Sequence, residues 1–74
     1  MPKLRSRLRV LMAEKSLLEK RRITYGTVAE ETHLSRPTII KLGRDEIAQI
    51  KGEVIASVCT YFDCEVGDLL YVEN

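Results

Sequence analysis

At 74 residues, with 45% hydrophobic and 31% charged side chains, the chain reads as one small globular domain, near the lower limit for a self-standing core. No apolar run exceeds four residues (Leu69 to Val72 is one), which argues against a signal peptide or membrane span and for a cytoplasmic protein whose Cys59 and Cys64 stay reduced. The net charge of +1 hides a polarity. Residues 1–22 carry eight basic groups against two acidic ones and residues 45–74 one against seven, so a polyanion would meet an attractive end and a repulsive one, although a polarised solubilising surface would look the same.

Leu4, Leu8, Leu11 and Met12 follow the spacing of an amphipathic helix, which the pattern predicts from about Lys3 to the Leu17–Lys20 region. Thr24 can cap a second helix that turns Val28 and Ala29 inward, and Gly26 weakens it by about 1 kcal/mol relative to alanine. Thr32, His33 and Leu34 break the chain. A third helix opens at Ser35-Arg36-Pro37, buries Ile39 and Leu42, and stops at Gly43 as a C′ residue. Pro37 leaves its start open: either Ser35 caps and Arg36 is mildly strained, or Arg36 caps and the helix begins at Pro37. Ile47 and Ile50 tuck a connection under the core. A fourth helix runs from about Lys51 to Phe62 on Ile55, Val58, Cys59 and Phe62, and one short turn around Val66 to Leu70 closes the core with Val66, Leu69 and Leu70. Period-two alternation never persists, so the expected fold is all-α, a compact bundle of four to five short helices spanning residues 1–74.

Catalytic signatures are missing: there is no Ser/His/Asp set, clustered carboxylate pair or phosphate-cradling glycine loop, and so small a domain leaves little room for a pocket. An enzyme is not expected, and neither is a cofactor. Zinc would need four ligands, and with His33 the only histidine, Cys59 and Cys64 read as packing and no metal is expected. What remains is a helix-turn-helix over about residues 24–42. Two steeply crossing helices need a small residue at the contact (Ala29), a sharp bend four residues later (His33) and an apolar anchor (Leu34). They also need a branched residue ten positions after the first (Ile39) and a completing leucine (Leu42).

Those residues resemble a Cro/cI-type (XRE-like) helix-turn-helix regulator with the lambda repressor-like fold, of the small bacterial kind that is little more than this domain. "RLRVLMAEK" is similar to the family's first helix, "TVAEETHLSRPTIIKL" to its helix-turn-helix and "VCTYFDCEVGDLL" to its closing helices. Two departures stand out: "SLLEKRR" lengthens the first connection, and His33 replaces the customary turn glycine.

The resemblance implies that the helix over residues 35–42 enters the major groove of double-stranded DNA. It exposes Ser35, Arg36, Pro37, Thr38, Ile40 and Lys41. Arg36 is the first choice for pairing with guanine, Thr38 and Ile40 for thymine methyls, and Lys41 and Arg44 for phosphates. Tyr25 stands where the family commonly has a backbone-contacting glutamine, and its hydroxyl could donate the same bond. Lys20-Arg21-Arg22 is favoured over Arg5 or Arg7 as the phosphate-contacting basic group, and for Arg36 and Lys41 the motif around them outweighs the reading of an ordinary solvated face. Homodimerisation on a two-fold-related site, and a repressor role, follow by analogy with the family. A protein-interaction module, such as an antitoxin-like partner protein, is the alternative that an exposed Ile40 and the acidic C-terminal third would suit. His33 reads most simply as a substitute for the turn glycine at positive φ, against phosphate contact or pH switching.

Overall fold

The computed structural model describes residues 1–74 as β1 (Lys3–Ser6), α1 (Leu8–Glu19), α2 (Tyr25–Thr32), α3 (Arg36–Gly43), α4 (Gly52–Phe62), α5 (Val66–Leu69) and β2 (Leu70–Glu73). The five helices agree with the sequence. The two strands do not, and the fold is therefore mostly helical rather than all-α. Antiparallel β1 and β2 pair Lys3 with Glu73 and Ser6 with Leu70, joining the two ends of the chain.

This sheet also corrects the first helix, which begins at Leu8 instead of Lys3. Ser6 accepts a hydrogen bond from the Leu8 N–H through its hydroxyl (3.0 Å) while its own N–H donates to Asp45 Oδ1 (2.7 Å). Arg5 bridges Asp45 (3.1 Å) and Glu73 (2.9 Å), which ties β1 to both β2 and the end of α3. Leu4, expected on a buried helical face, lies on the strand and is exposed.

Eleven hydrophobic side chains form the core, with Leu8, Val28, Ile39, Leu42, Val58 and Leu69 fully buried. Ile47 lies among them and Ile50 packs against them, as their spacing implied, and so does Leu70 at the start of β2. Val66 is exposed, because α5 is a single turn that can direct only Leu69 inward. The long connection after α1 is closed by Ser16. Its hydroxyl donates to the Met12 carbonyl (2.8 Å) and accepts the N–H of Ile23 (3.0 Å), a buried residue outside any helix.

Helix ends here are made without glycine. Lys20, His33, Asp45 and Asp63 take positive φ, and no glycine does. His33 (φ 60°, ψ 29°) ends α2 with its own N–H on the Ala29 and Glu30 carbonyls, while the Leu34 N–H donates to Ala29 O (3.0 Å). This is the paired bonding of a Schellman turn. The imidazole is exposed. His33→Gly should therefore leave the melting temperature equal or higher, by up to about 1 kcal/mol of stability; a clear drop in a thermal melt would show that the ring has a partner.

Gly43 does not end α3 in the expected way. It is the last helical residue, and Asp45 (φ 64°) makes the turn instead. The missing side chain of Gly43 serves another purpose: the Tyr25 ring lies across it, and a Cβ there would collide with that ring and its hydroxyl.

Candidate nucleic-acid interface

Helices α2 and α3 pack across a seam that buries Val28, Ala29, Ile39 and Leu42. Thr24 and Thr27 form a reciprocal capping box at the start of α2, with the Thr27 N–H donating to Thr24 Oγ1 (3.1 Å). The N–H groups of Tyr25 and Gly26 precede the first intrahelical bond, made by Val28 to Thr24 O, and are left for an outside acceptor.

The start of α3 is also decided. Ser35 is the cap, in extended geometry (φ −72°, ψ 143°), and Arg36 is helical despite the proline after it. Pro37 sits in the first turn, where its missing N–H is not needed. Ser35 Oγ accepts from the Thr38 N–H (3.4 Å) and lies 2.6 Å from Thr38 Oγ1, so two of the expected contact residues are joined to each other.

The structure brings the remaining candidates together around this helix. Arg36, Pro37, Lys41 and Arg44 are exposed. The Arg36 guanidinium rests over the first turn of α2, 3.0 Å from where a Gly26 Cβ would be. Ile40, expected to be exposed, is half-buried, as is Thr38, yet Ile40 does not pack against the buried core. Tyr25 is half-buried at the opening of α2, fixed over Gly43, and its hydroxyl accepts a hydrogen bond from Arg9 Nε (3.0 Å). That leaves the phenolic hydrogen free to donate outward.

Arg9 is the site residue that the sequence did not single out. It is the one arginine within α1, but nothing in the local pattern sets it apart from Arg5 and Arg7 just before it, because its partner lies 16 residues away on another helix. The basic cluster before α2 divides instead. Arg21 forms a two-pronged pair with Glu31 (2.6 and 2.7 Å) and reaches Glu19 (2.7 Å), so it fastens α1 to α2, while Lys20 and Arg22 stay unpaired.

Glu31 also accepts the Tyr61 hydroxyl (2.6 Å), which adds α4 to the same clamp. Arg21, then Tyr61, hold the Glu31 carboxyl down at about 2, against an ordinary 4.5. A depressed carboxylate stabilises the fold fully above its ordinary value and stops doing so as pH falls through the folded one. The melting temperature should therefore drop between pH 4.5 and about 2, and Glu31→Gln should flatten that drop; identical acid profiles for the two proteins would remove the clamp from the account. Burial and the neighbouring Cys59 push the Cys64 thiol up to about 11; Cys59 is a core residue and Cys64 packs against that core.

No helix is long and apolar enough to cross a membrane. No curated protein and no solved structure matches the chain. The match is to a family. Residues 7–74, from the residue before α1 to the end of the chain, fit the model of the Cro/C1-type HTH DNA-binding domain, and the chain belongs to that family.

Proposed function

We propose that residues 1–74 act as one helix-turn-helix domain of a transcriptional regulator, a repressor, that binds specific double-stranded DNA with α3 in the major groove. One observation carries this. Arg9, Arg36, Lys41 and Arg44, the cations of α3 and its flank, have no carboxylate partner, whereas Arg5, Lys15 and Arg21 are consumed in ion pairs. Charge left unpaired along α3 and beside the opening of α2 suits a phosphate backbone.

In this reading the Tyr25 hydroxyl, steadied by Arg9, and the free Tyr25 and Gly26 amides hold one phosphate. Lys41 and Arg44 hold others, and these contacts set the register of α3. Arg36 leaves its rest over Gly26 to meet a guanine edge, Thr38 and Ile40 offer methyl groups to thymine, and Ser35 and Pro37 shape the helix start. One domain reads few base pairs, so the functional unit is a homodimer on a two-fold-related site. No cofactor or catalytic group enters, and the setting is the cytoplasm.

Binding to mixed-sequence duplex across a salt series tests the reading. The logarithm of affinity should fall linearly with that of salt, with a slope near −0.9 for each phosphate neutralised. Selection from a random duplex pool should return a half-site repeated with two-fold symmetry. Absence of binding to any duplex at low salt would end this proposal. The alternative of a protein-interaction module would use the same half-buried Ile40 together with the acidic C-terminal third.

A further inference from the structure

Two of the most exposed apolar side chains stand together on a helix where nothing in the DNA-binding reading uses them. Leu17 is 80% and Leu18 84% exposed at the C-terminal end of α1. Val10 (46% exposed) and Glu14 precede them at helical spacing, so the four share one face of α1. Beside that face runs a groove of about 650 Å³ floored by Leu11 and Phe62 and bounded by Glu14, Tyr61 and Asp63. It continues into a second groove that shares Leu11, Glu14, Phe62 and Asp63 and reaches Val10 and Asp68. An apolar strip of this kind normally has an occupant.

We propose that the occupant is a second copy of this chain, packed antiparallel along α1 about a twofold axis near Leu17. Charge is sorted along the strip in the way that such pairing needs. At the C-terminal end Lys20 and Arg22 are exposed and unpaired, while Lys15, Glu19 and Arg21 are already neutralised within the chain. Toward the other end stand Glu14, Asp63 and Asp68, whose basic neighbours are Arg7 and the Lys15 already paired with Glu19. A twofold axis across the strip lays the basic end of each copy on the acidic end of the other, twice over, and brings Leu17 and Leu18 of both copies together at the centre. A parallel pairing would set like charge on like. None of these residues belongs to the group around α3, so the seam leaves that group uncovered. A domain this small gains from the added burial.

The seam rests on the dimeric reading above and is tested separately from it. Sedimentation equilibrium should show the wild-type chain dimerising, and Leu17→Glu with Leu18→Glu should raise the dimer dissociation constant at least about a hundredfold. A thermal melt of the variant at its own concentration confirms that it remains folded, since both leucines are exposed. Glu14→Lys and Lys20→Glu should each weaken the dimer, and the two together in one chain should restore it, because each reversed charge then meets its complement in the other copy. A wild-type chain that stays monomeric would overturn the seam, as would a dimer indifferent to the leucine pair; charge variants that do not rescue one another would overturn the antiparallel pairing. Duplex binding followed in parallel separates the two ideas: a monomer that binds DNA removes the seam and leaves the DNA reading standing.

Discussion

Ile39→Ala should destabilise the domain by about 2–5 kcal/mol, the cost of emptying a fully buried branched side chain in a core that cannot collapse around the gap. Ile39 is completely inaccessible and shares one core cluster with Val28 and Ala29 of α2, the helix against which α3 packs. Whole domains are stable by only about 5–15 kcal/mol, and a 74-residue chain belongs toward the low end. The loss would therefore show as a large drop in the denaturation midpoint. Ile40→Ala is the matched control. One residue along, it is half-buried and outside the core packing, and it should cost less than about 1 kcal/mol. Equal losses at the two positions would mean that the inward face of α3 has been misplaced.

The second large effect falls on recognition. Arg36→Ala should weaken binding to the selected site by about 1–3 kcal/mol and relax base preference at one position. Arg36 is the first residue of α3, is exposed, and rests against Gly26 without an acidic partner, so little must be broken for it to swing toward a base. Lys41→Ala, by contrast, should weaken specific and random duplex alike and lower the salt slope by about one phosphate. If Arg36→Ala behaved like Lys41→Ala, its guanidinium would belong to the backbone, held near the opening of α2 where the structure already places it.

The alternation of Val28-Ala29 with Glu30-Glu31, the bend at His33, and Ile39 and Leu42 at helical spacing were enough for α2, the turn and α3. Each of those features is local, and its physical demand falls on residues within one or two turns of one another. The Thr24 cap and the positive φ of His33 were legible for the same reason. Whether Ser35 or Arg36 opens α3 was not legible, because both arrangements accommodate Pro37 and only the Ser35–Thr38 hydrogen bonds separate them.

The sheet was missed for a different reason. Each strand has four residues, too few for alternation to register, and the partners stand up to 70 positions apart (Lys3 with Glu73). Leu4 satisfies helical spacing by coincidence, so spacing alone extends the first helix over residues that form β1. Gly43 does close α3, but as its last residue and not as a positive-φ residue beyond it, and its missing side chain makes room for Tyr25.

The sequence by itself determined that the chain is mostly helical, where its helix-turn-helix lies, and which of that motif's residues face inward, since these follow from periodicity, caps and turn chemistry within a few residues. Tertiary structure alone decided which arginines remain available. Arg5 and Arg21 are held by Asp45, Glu73, Glu19 and Glu31, whereas Arg9 steadies Tyr25. Charge carries no label in a sequence. Whether a cation is free depends on what the fold brings within about 3 Å of it, through partners as far apart as Arg5 and Glu73.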